Sequence, residues 1–160
     1  MALSHDRKLI ALGSATGDND TDIVIRVRES GEELRRLTGH ANFVRAVAFS
    51  DDDALLASGS DDRTVRIWDV QTGEQLAAMT GHPDKIYTVA FSPDRTRLIS
   101  GGSDGTIRIW DVESFEQVAT LSGHTSYVHS LSFSPDGTQI ASASGDHTVR
   151  IWDSAPDDVH

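Results

Sequence analysis

Short apolar runs recur along the chain and are separated by polar turns. Residues 44–50 (VRAVAFS), 55–60 (LLASGS) and 64–69 (TVRIWD) are rich in apolar and β-branched residues. The polar turn Asp51–Asp53 separates the first two runs, and a fourth run follows at residues 74–80 (EQLAAMT). Runs of this length and composition, bounded by turn residues, are typical of short β-strands. The pattern therefore predicts four strands in close succession, and nothing in it indicates a helix.

This group of strands is repeated with a fixed period of 42 residues. The pair Gly-His is found at 39–40, 81–82 and 123–124. The pair Trp-Asp is found at 68–69, 110–111 and 152–153. When residues 39–80 are placed over 81–122, nearly half of the positions are identical. The chain is therefore a tandem array, and four strands per repeat is the pattern of a propeller blade.

The repeated motifs carry a resemblance to a known family. Gly-His is followed by a turn such as Ser-Pro-Asp-Gly (134–137) and then by a segment of the form Ser-x-Asp-x-Thr-Val-Arg-Ile-Trp-Asp. In this order the motifs are similar to those of the WD-repeat (WD40) β-propeller family, strongly over residues 31–153 and weakly over 1–30. Arg26 stands at the Trp position of the first unit, and Val27 at the Asp position. The resemblance implies an all-β fold of four-stranded antiparallel blades, about half of a full ring.

The resemblance also divides this single partial propeller, residues 1–160, into units. In the family, the strand after Trp-Asp is the outermost of its blade, and Gly-His leads into the innermost strand of the next. The units are 1–38, which is degenerate, 39–80, 81–122, and 123–153, which lacks its outer strand; a polar tail follows at 154–160.

Four blades stand at the lower end of the range of about 4–8 that propellers contain. An open arc would leave apolar blade faces without a neighbour, and terminal repeats normally need polar caps. We therefore expect the chain to associate with itself, two copies forming an eight-bladed homodimeric ring by two-fold symmetry. A lone four-bladed ring, an assembly module that binds only itself, and an engineered or excised propeller fragment are the alternatives that the sequence leaves open.

Four polar or aromatic residues recur in each of the last three units, and the resemblance gives them a structural role. In the family, a buried Trp donates its indole N–H to Ser, and the hydrogen bonds continue through His to Asp. The residues are His40, Ser58, Asp62 and Trp68; His82, Ser100, Asp104 and Trp110; and His124, Ser142, Asp146 and Trp152. A buried Trp needs a partner for its N–H, and a buried polar network is stable only when every member is paired.

Ser, His and Asp are also the residues of a hydrolase triad. A triad needs one nucleophile that faces solvent and a nearby oxyanion hole. Three equivalent copies favour a structural network over one active site. We therefore expect no enzymatic activity, no catalytic residue, no metal and no cofactor.

Positions that change between equivalent sites of the repeat are candidates for binding a partner. In the family, three of these positions ring the mouth of the central channel on one face. The candidate rim comprises Phe43, Arg45, Asp61, Lys85, Tyr87, Ser103, Tyr127 and His129. Aromatic and Arg residues dominate the energetics of binding sites, and we expect Phe43, Tyr87 and Tyr127 to be exposed. The partner would be another protein or a peptide; unconstrained drift of surface positions is the alternative.

Charge and composition narrow the partners. The formal net charge is −11, and the 14 Lys and Arg residues are scattered among 25 Asp and Glu residues, which argues against nucleic acid. No apolar run reaches the length of a membrane span, and no basic amphipathic helix is visible, so we expect no membrane interaction. The sequence shows no signal-peptide pattern, which makes the cytoplasm the expected location. Without cysteine, disulfides and thiolate metal sites are excluded.

The acidic loop Asp18–Asp22 (DNDTD) is the best candidate for a metal. Carboxylates alternate along it, and Glu29 stands at the twelfth position counted from Asp18, as in calcium-binding loops. Ile23 replaces the Gly required at the sixth position, and a strand is predicted to follow instead of a helix. These departures favour a solvated loop, with calcium binding as the alternative.

Overall fold

The computed structural model describes residues 1–14 and 21–154, and in them it shows strands joined by turns. The strands are β1 (Ala2–Leu3), β2 (Leu9–Gly13), β3 (Ile23–Val27), β4 (Glu33–Leu37), β5 (Val44–Phe49), β6 (Leu55–Ser60), β7 (Thr64–Asp69), β8 (Gln75–Thr80), β9 (Ile86–Phe91), β10 (Arg97–Gly102), β11 (Ile107–Asp111), β12 (Gln117–Leu121), β13 (Val128–Phe133), β14 (Gln139–Ser144) and β15 (Val149–Asp153).

These strands form four antiparallel sheets in which consecutive strands pair. The first three sheets are β1–β4, β5–β8 and β9–β12. The fourth contains three strands within the described residues, β13–β15. The predicted all-β fold of propeller-blade sheets is confirmed, and the sheets form an open arc and not a closed ring.

The turn after the innermost strand of each sheet is held by a repeated Ser-x-Asp motif. The Ser92 hydroxyl donates to the Asp94 carboxylate over 2.5 Å and accepts the backbone N–H of Arg97 over 2.9 Å. Thr96 donates its backbone N–H to the same carboxylate over 3.1 Å. Corresponding bonds join Ser50 to Asp52 and Ser134 to Asp136. Asp52, Asp94 and Asp136 therefore serve to close turns.

The hydrophobic core lies between successive sheets. Val65 and Ile67 of β7 pack against Ile86, Leu98 and Trp110 of the third sheet. Equivalent clusters join the first sheet to the second and the third to the fourth. We call the face that carries Val65 and Ile67, or their counterparts, the trailing face, and the face that carries Trp110, or its counterpart, the leading face. Each internal junction therefore buries a trailing face against a leading face.

Glycine stands where a trailing face meets the innermost strand of the next sheet. A Cβ added to Gly59 would lie 2.6 Å from Ile86 Cγ2, and one added to Gly101 would lie 2.8 Å from Val128 Cγ1. The absence of a side chain therefore allows the sheets to approach each other. The counterpart in the fourth sheet is Ala143, and no further sheet of the described chain covers that trailing face.

The uncovered trailing face leaves apolar side chains in contact with solvent. Val149 is 71% exposed and Ile151 is 60% exposed, whereas their counterparts Val65 and Ile67 are fully buried. The fourth sheet is therefore the least covered part of the arc.

No helix within the described residues has the length and apolar character to cross a membrane.

Candidate functional site

Each of the last three sheets contains a buried hydrogen-bonded chain of four side chains. In the second sheet, Trp68 Nε1 donates to Ser58 Oγ over 2.9 Å, Ser58 Oγ lies 2.7 Å from His40 Nε2, and His40 Nδ1 lies 2.8 Å from Asp62 Oδ2. The corresponding distances are 2.8, 2.8 and 3.3 Å for Trp110, Ser100, His82 and Asp104, and 2.8, 2.7 and 2.8 Å for Trp152, Ser142, His124 and Asp146. The structure thus brings together all twelve residues of the sequence-derived network, four in each sheet.

Burial and hydrogen bonding set the protonation states of this network. Burial lowers the pKa of His40, and also that of His82, because it disfavours the imidazolium. Burial also acts to raise the pKa of Asp62, but hydrogen bonds from Thr64, Ala41 and His40 outweigh it and lower the pKa to about 2. Asp62 is therefore an acceptor at neutral pH, so Nδ1 of a neutral His40 carries the proton and Nε2 accepts the Ser58 hydroxyl.

This assignment gives every member of the chain a role that differs from that of a catalytic triad. The Ser58 hydroxyl accepts from Trp68 and donates to His40, and it is fully buried. A nucleophilic serine must instead present its oxygen to a substrate. The Ser58 hydroxyl therefore holds the sheet together and is not available to attack a substrate.

The first sheet is built differently at the equivalent positions. Leu12 stands where Ser58 stands in the second sheet, and Arg26 where Trp68 stands. The Arg26 guanidinium bonds to the Gly31 carbonyl over 2.9 Å and lies 3.8 Å from a Glu33 carboxylate oxygen. The leading face of the first sheet therefore contains Arg26 and apolar side chains in place of the Trp–Ser pair.

A cavity of about 470 Å³ opens beside the inner strands of the second, third and fourth sheets. It is lined by Ser14, Phe43, Val44, Arg45, Tyr87, Tyr127 and His129. Five of these are residues of the candidate rim, contributed by three different sheets. Ser14 and Val44 are additions that the comparison of repeats did not single out, because Ser14 lies in the degenerate unit and Val44 occupies a position that stays apolar in every full repeat.

Two rim residues form a bidentate ion pair at this mouth. Arg45 binds the Asp61 carboxylate through two bonds, from Nε over 2.5 Å and from Nη2 over 2.6 Å. Lys85 Nζ lies 3.8 Å from the same carboxylate. The Asp61 hydrogen bond raises the pKa of Arg45. Asp61 thus holds two cations beside the cavity, where its single charge does not neutralise both.

Aromatic side chains continue from this pair across the mouth. The Arg45 guanidinium lies 5.6 Å from the Tyr87 ring centroid, and the Tyr87 and Tyr127 rings meet edge to face at 5.7 Å. The His129 ring lies 6.1 Å from that of Tyr127. The prediction that Tyr87 is exposed is wrong: its ring is half-buried between neighbours, whereas Phe43 and Tyr127 are exposed.

The ring of Tyr127 rests over a glycine that the sequence did not identify as part of the site. A Cβ added to Gly145 would lie 2.5 Å from Tyr127 Cε1. Asp61 and Ser103 occupy the equivalent positions of the other sheets. Ser103 is half-buried, its backbone N–H bonds to the Lys85 carbonyl over 2.8 Å, and its side chain does not line the cavity.

The candidate calcium loop lies largely outside the described residues, because Asp18, Asn19 and Asp20 are not among them. Asp22, at the end of the loop, lies 3.5 Å from Arg36 Nη1. Within residues 1–14 and 21–154, no group of three or more His, Asp or Glu side chains is arranged to hold a metal ion.

Comparison with known proteins agrees with this geometry. A family model described as the WDR41 β-propeller matches residues 26–156, more than four fifths of the chain. No curated protein matches the sequence. The match includes all three sheets that carry the Trp–Ser–His–Asp chain and every residue of the candidate rim.

Proposed function

Because the chain belongs to the WDR41 β-propeller family, we propose that it is a non-enzymatic scaffold for protein–protein interactions that completes its ring by self-association, as an eight-bladed homodimer. The exposure of Val149 and Ile151 on the trailing face of the fourth sheet is the observation that carries self-association. Their counterparts in the other sheets are buried against the next sheet. Adjacent β-branched side chains left in water favour an interface at this face.

The first sheet supplies a suitable counterpart. On its leading face, Ile10 and Leu12 stand at the positions of Leu56 and Ser58, and both are half-buried. In a two-fold assembly, the trailing face of each copy would cover the leading face of the other, so the contact forms twice. Val149 and Ile151 would thus meet Ile10 and Leu12, beside Arg26, whose guanidinium bonds to the Gly31 carbonyl of its own sheet.

Residue 143 differs from its counterparts at the internal junctions, and this difference is compatible with the proposed contact between two copies. Ala143 takes the place of the glycine that elsewhere admits Ile86 or Val128 from the next sheet. β1 contains only Ala2 and Leu3, so the described first sheet carries no counterpart of those two side chains. The methyl group of Ala143 would fill the space that they occupy at internal junctions.

The channel-mouth rim is the surface that we propose for other proteins or peptides. The stack from Arg45 through Tyr87 to Tyr127 places rigid, partly desolvated rings beside two cations, a combination found at binding hot spots.

We also retain the cytoplasm as the proposed location, to be tested by fractionation of cells that express the tagged chain.

Solution mass tests self-association. Static light scattering should give about twice the chain mass of 17.3 kDa. Replacing both Val149 and Ile151 with Asp should return the mass to that of one chain, while Val118→Asp, at an exposed position on β12, should leave the dimer intact. A wild-type mass of 17.3 kDa over a wide concentration range would overturn this part of the proposal.

Partner capture tests the rim. Capture of a protein or peptide should weaken when Tyr87→Ala and Tyr127→Ala are combined, with circular dichroism unchanged. Capture that persists in this variant would exclude the rim as the binding surface. Capture of nothing but a second copy would identify an assembly module that binds only itself.

A further inference from the structure

The outer edge of β15 differs from every other third strand in the described chain. β3, β7 and β11 each pair on both sides, and their outer partners are β4, β8 and β12. β15 pairs with β14 alone within the described residues. We propose that this edge binds an extended segment of another protein, which adds to the sheet as its fourth strand and carries Gln or Glu opposite Trp152 and an apolar residue opposite Val149.

Backbone geometry identifies which side of β15 is open. In the complete sheets the Asp at the end of the third strand faces outward: Asp69 donates its N–H to the Glu74 carbonyl, and Asp111 to the Glu116 carbonyl, both over 2.9 Å. The next residue faces inward, as when Val70 donates to the Ala54 carbonyl over 3.0 Å. Ser154 makes that inward bond too, to Thr138 over 2.9 Å. The backbone hydrogen bonds from β15 to β14 are therefore complete. The backbone N–H and C=O groups of β15 that remain free face outward, away from β14.

An arginine supplies side-chain recognition at this edge. In the complete second and third sheets, Arg66 Nη1 bonds to Gln75 Oε1, and Arg108 Nη1 bonds to Gln117 Oε1 over 2.6 Å. Arg150 is their counterpart and lies 5.8 Å from the Trp152 ring centroid. Within residues 1–14 and 21–154 its guanidinium has no hydrogen-bond acceptor. An incoming Gln or Glu would provide one, with a charge-assisted bond in either case.

The three internal outer strands define the rest of the ligand. In each, the residue opposite the Trp or its counterpart is Gln or Glu, and four positions later an apolar residue lies opposite Val65 or its counterpart. That apolar residue is Leu37, Met79 or Leu121. Leu37 and Met79 are buried. A bulge places one further residue between the paired positions, and its side chain is exposed. The motif is therefore Gln/Glu-x-x-x-Leu/Met in an extended segment.

A second copy of the chain does not offer such a segment from its described strands. β4, β8 and β12 already pair within their own sheets. The proposed homodimer would cover the trailing face of the fourth sheet, whereas an added strand would bind at its edge. An apolar residue opposite Val149 would extend that trailing face, as Met79 does beside Val65. The backbone of the added strand would nevertheless bind at the edge of β15, so strand addition goes beyond the proposed self-association.

Peptide binding to the full chain tests strand addition. A labelled peptide with the sequence of residues 113–122 (ESFEQVATLS) should bind in fluorescence anisotropy. Replacing its Gln with Ala should weaken binding about tenfold, because the hydrogen bond to the charged guanidinium of Arg150 is lost. A peptide with Pro in place of the Ala after Val should not bind, because Pro removes a ladder donor. On the protein, Arg150→Ala should reduce affinity to a similar extent, with Arg28→Ala, at an exposed position, as the matched control.

Amide hydrogen exchange locates the bound peptide independently of any substitution in the protein. Exchange should slow at Val149, Ile151 and Asp153 when the wild-type chain is saturated with peptide. Protection confined to the channel mouth, or equal affinity for the native and Pro-containing peptides, would overturn strand addition. If the wild-type chain does not bind the native peptide at millimolar concentration, strand addition is also overturned.

Discussion

Trp110 donates its indole N–H to Ser100 Oγ over 2.8 Å, at a site from which both side chains are almost fully excluded from water. The same oxygen lies 2.8 Å from His82 Nε2. One hydroxyl therefore links the largest core side chain of the third sheet to a histidine near its inner strand. Removing that hydroxyl leaves two buried polar groups without their partner.

Ser100→Ala should lower the free energy of unfolding by about 1–3 kcal/mol, the range for a buried group left unsatisfied. Trp110→Ala should lower it by about 3–5 kcal/mol, because it removes a large core side chain. Urea denaturation followed by far-ultraviolet circular dichroism measures both. Ser103→Ala, outside the network, is the control and should stay within about 0.5 kcal/mol of wild type. A hydrolase activity that Ser100→Ala abolished would contradict the structural role.

Stability should fall on acidification. Burial lowers the folded-state pKa of His40 and His82 below their ordinary value of 6.5, so below pH 6.5 the unfolded chain binds more protons than the folded one. The contribution of these neutral histidines to the free energy of unfolding is thus fully present above pH 6.5. It is lost as the pH falls, at up to about 1.4 kcal/mol per pH unit for each histidine. Below pH 3.8, Asp62 acts in the same direction, because its folded-state pKa is about 2.

Urea midpoints measured between pH 7.5 and pH 5 would reveal this loss. A midpoint that is constant or rises on acidification would contradict the neutral state assigned to the two buried histidines.

Gly145→Ala should rearrange the channel mouth without unfolding the sheet. The added methyl group would lie 2.5 Å from Tyr127 Cε1, so the ring must move, and its edge-to-face contact with Tyr87 at 5.7 Å should change. Because Tyr127 is exposed and its ring has room to move, the free energy of unfolding should change by less than about 1 kcal/mol. Aromatic proton chemical shifts of Tyr87 measure the rearrangement. In a double-mutant cycle with Tyr127→Ala, the effect of Gly145→Ala on Tyr87 should disappear; its persistence would mean that the glycine acts by another route.

Gly101→Val and Ala143→Val should differ strongly although the positions are equivalent. A side chain at Gly101 collides with Val128 of the next sheet, so overpacking should destabilise the chain by about 1–3 kcal/mol. Ala143 lies on the uncovered trailing face, so the monomer should tolerate Val there. Denaturation at low protein concentration, where association does not contribute, measures both. At high concentration Ala143→Val should weaken the proposed dimer, and equal destabilisation of the monomer by the two variants would contradict the assigned junction geometry.

Sequence patterns were most informative where one unit repeats another. The 42-residue period and the turn residues identified the strands. The resemblance to the WD-repeat family implied the buried Trp–Ser–His–Asp chain in the last three units, where each indole N–H needs a partner. Contrast between units found five of the seven cavity-lining residues. It did not find Ser14, whose unit lacks the repeated motifs, and it misjudged Tyr87, whose burial depends on side chains from neighbouring sheets.

The sequence by itself determined the all-β class, the strand order and the number of units, because the apolar runs, the turn residues between them and the 42-residue period can all be read along the chain. Only the tertiary structure decided which surfaces are left uncovered. The trailing face at Val149 and Ile151 and the edge of β15 carry the same residue types as their buried counterparts, and their exposure follows from the absence of a neighbour among the described strands. Contacts between sheets join residues far apart in the sequence, as Gly59 meets Ile86 and Arg45 meets Tyr87, and the pattern within one strand does not specify which residues of the next sheet lie against it.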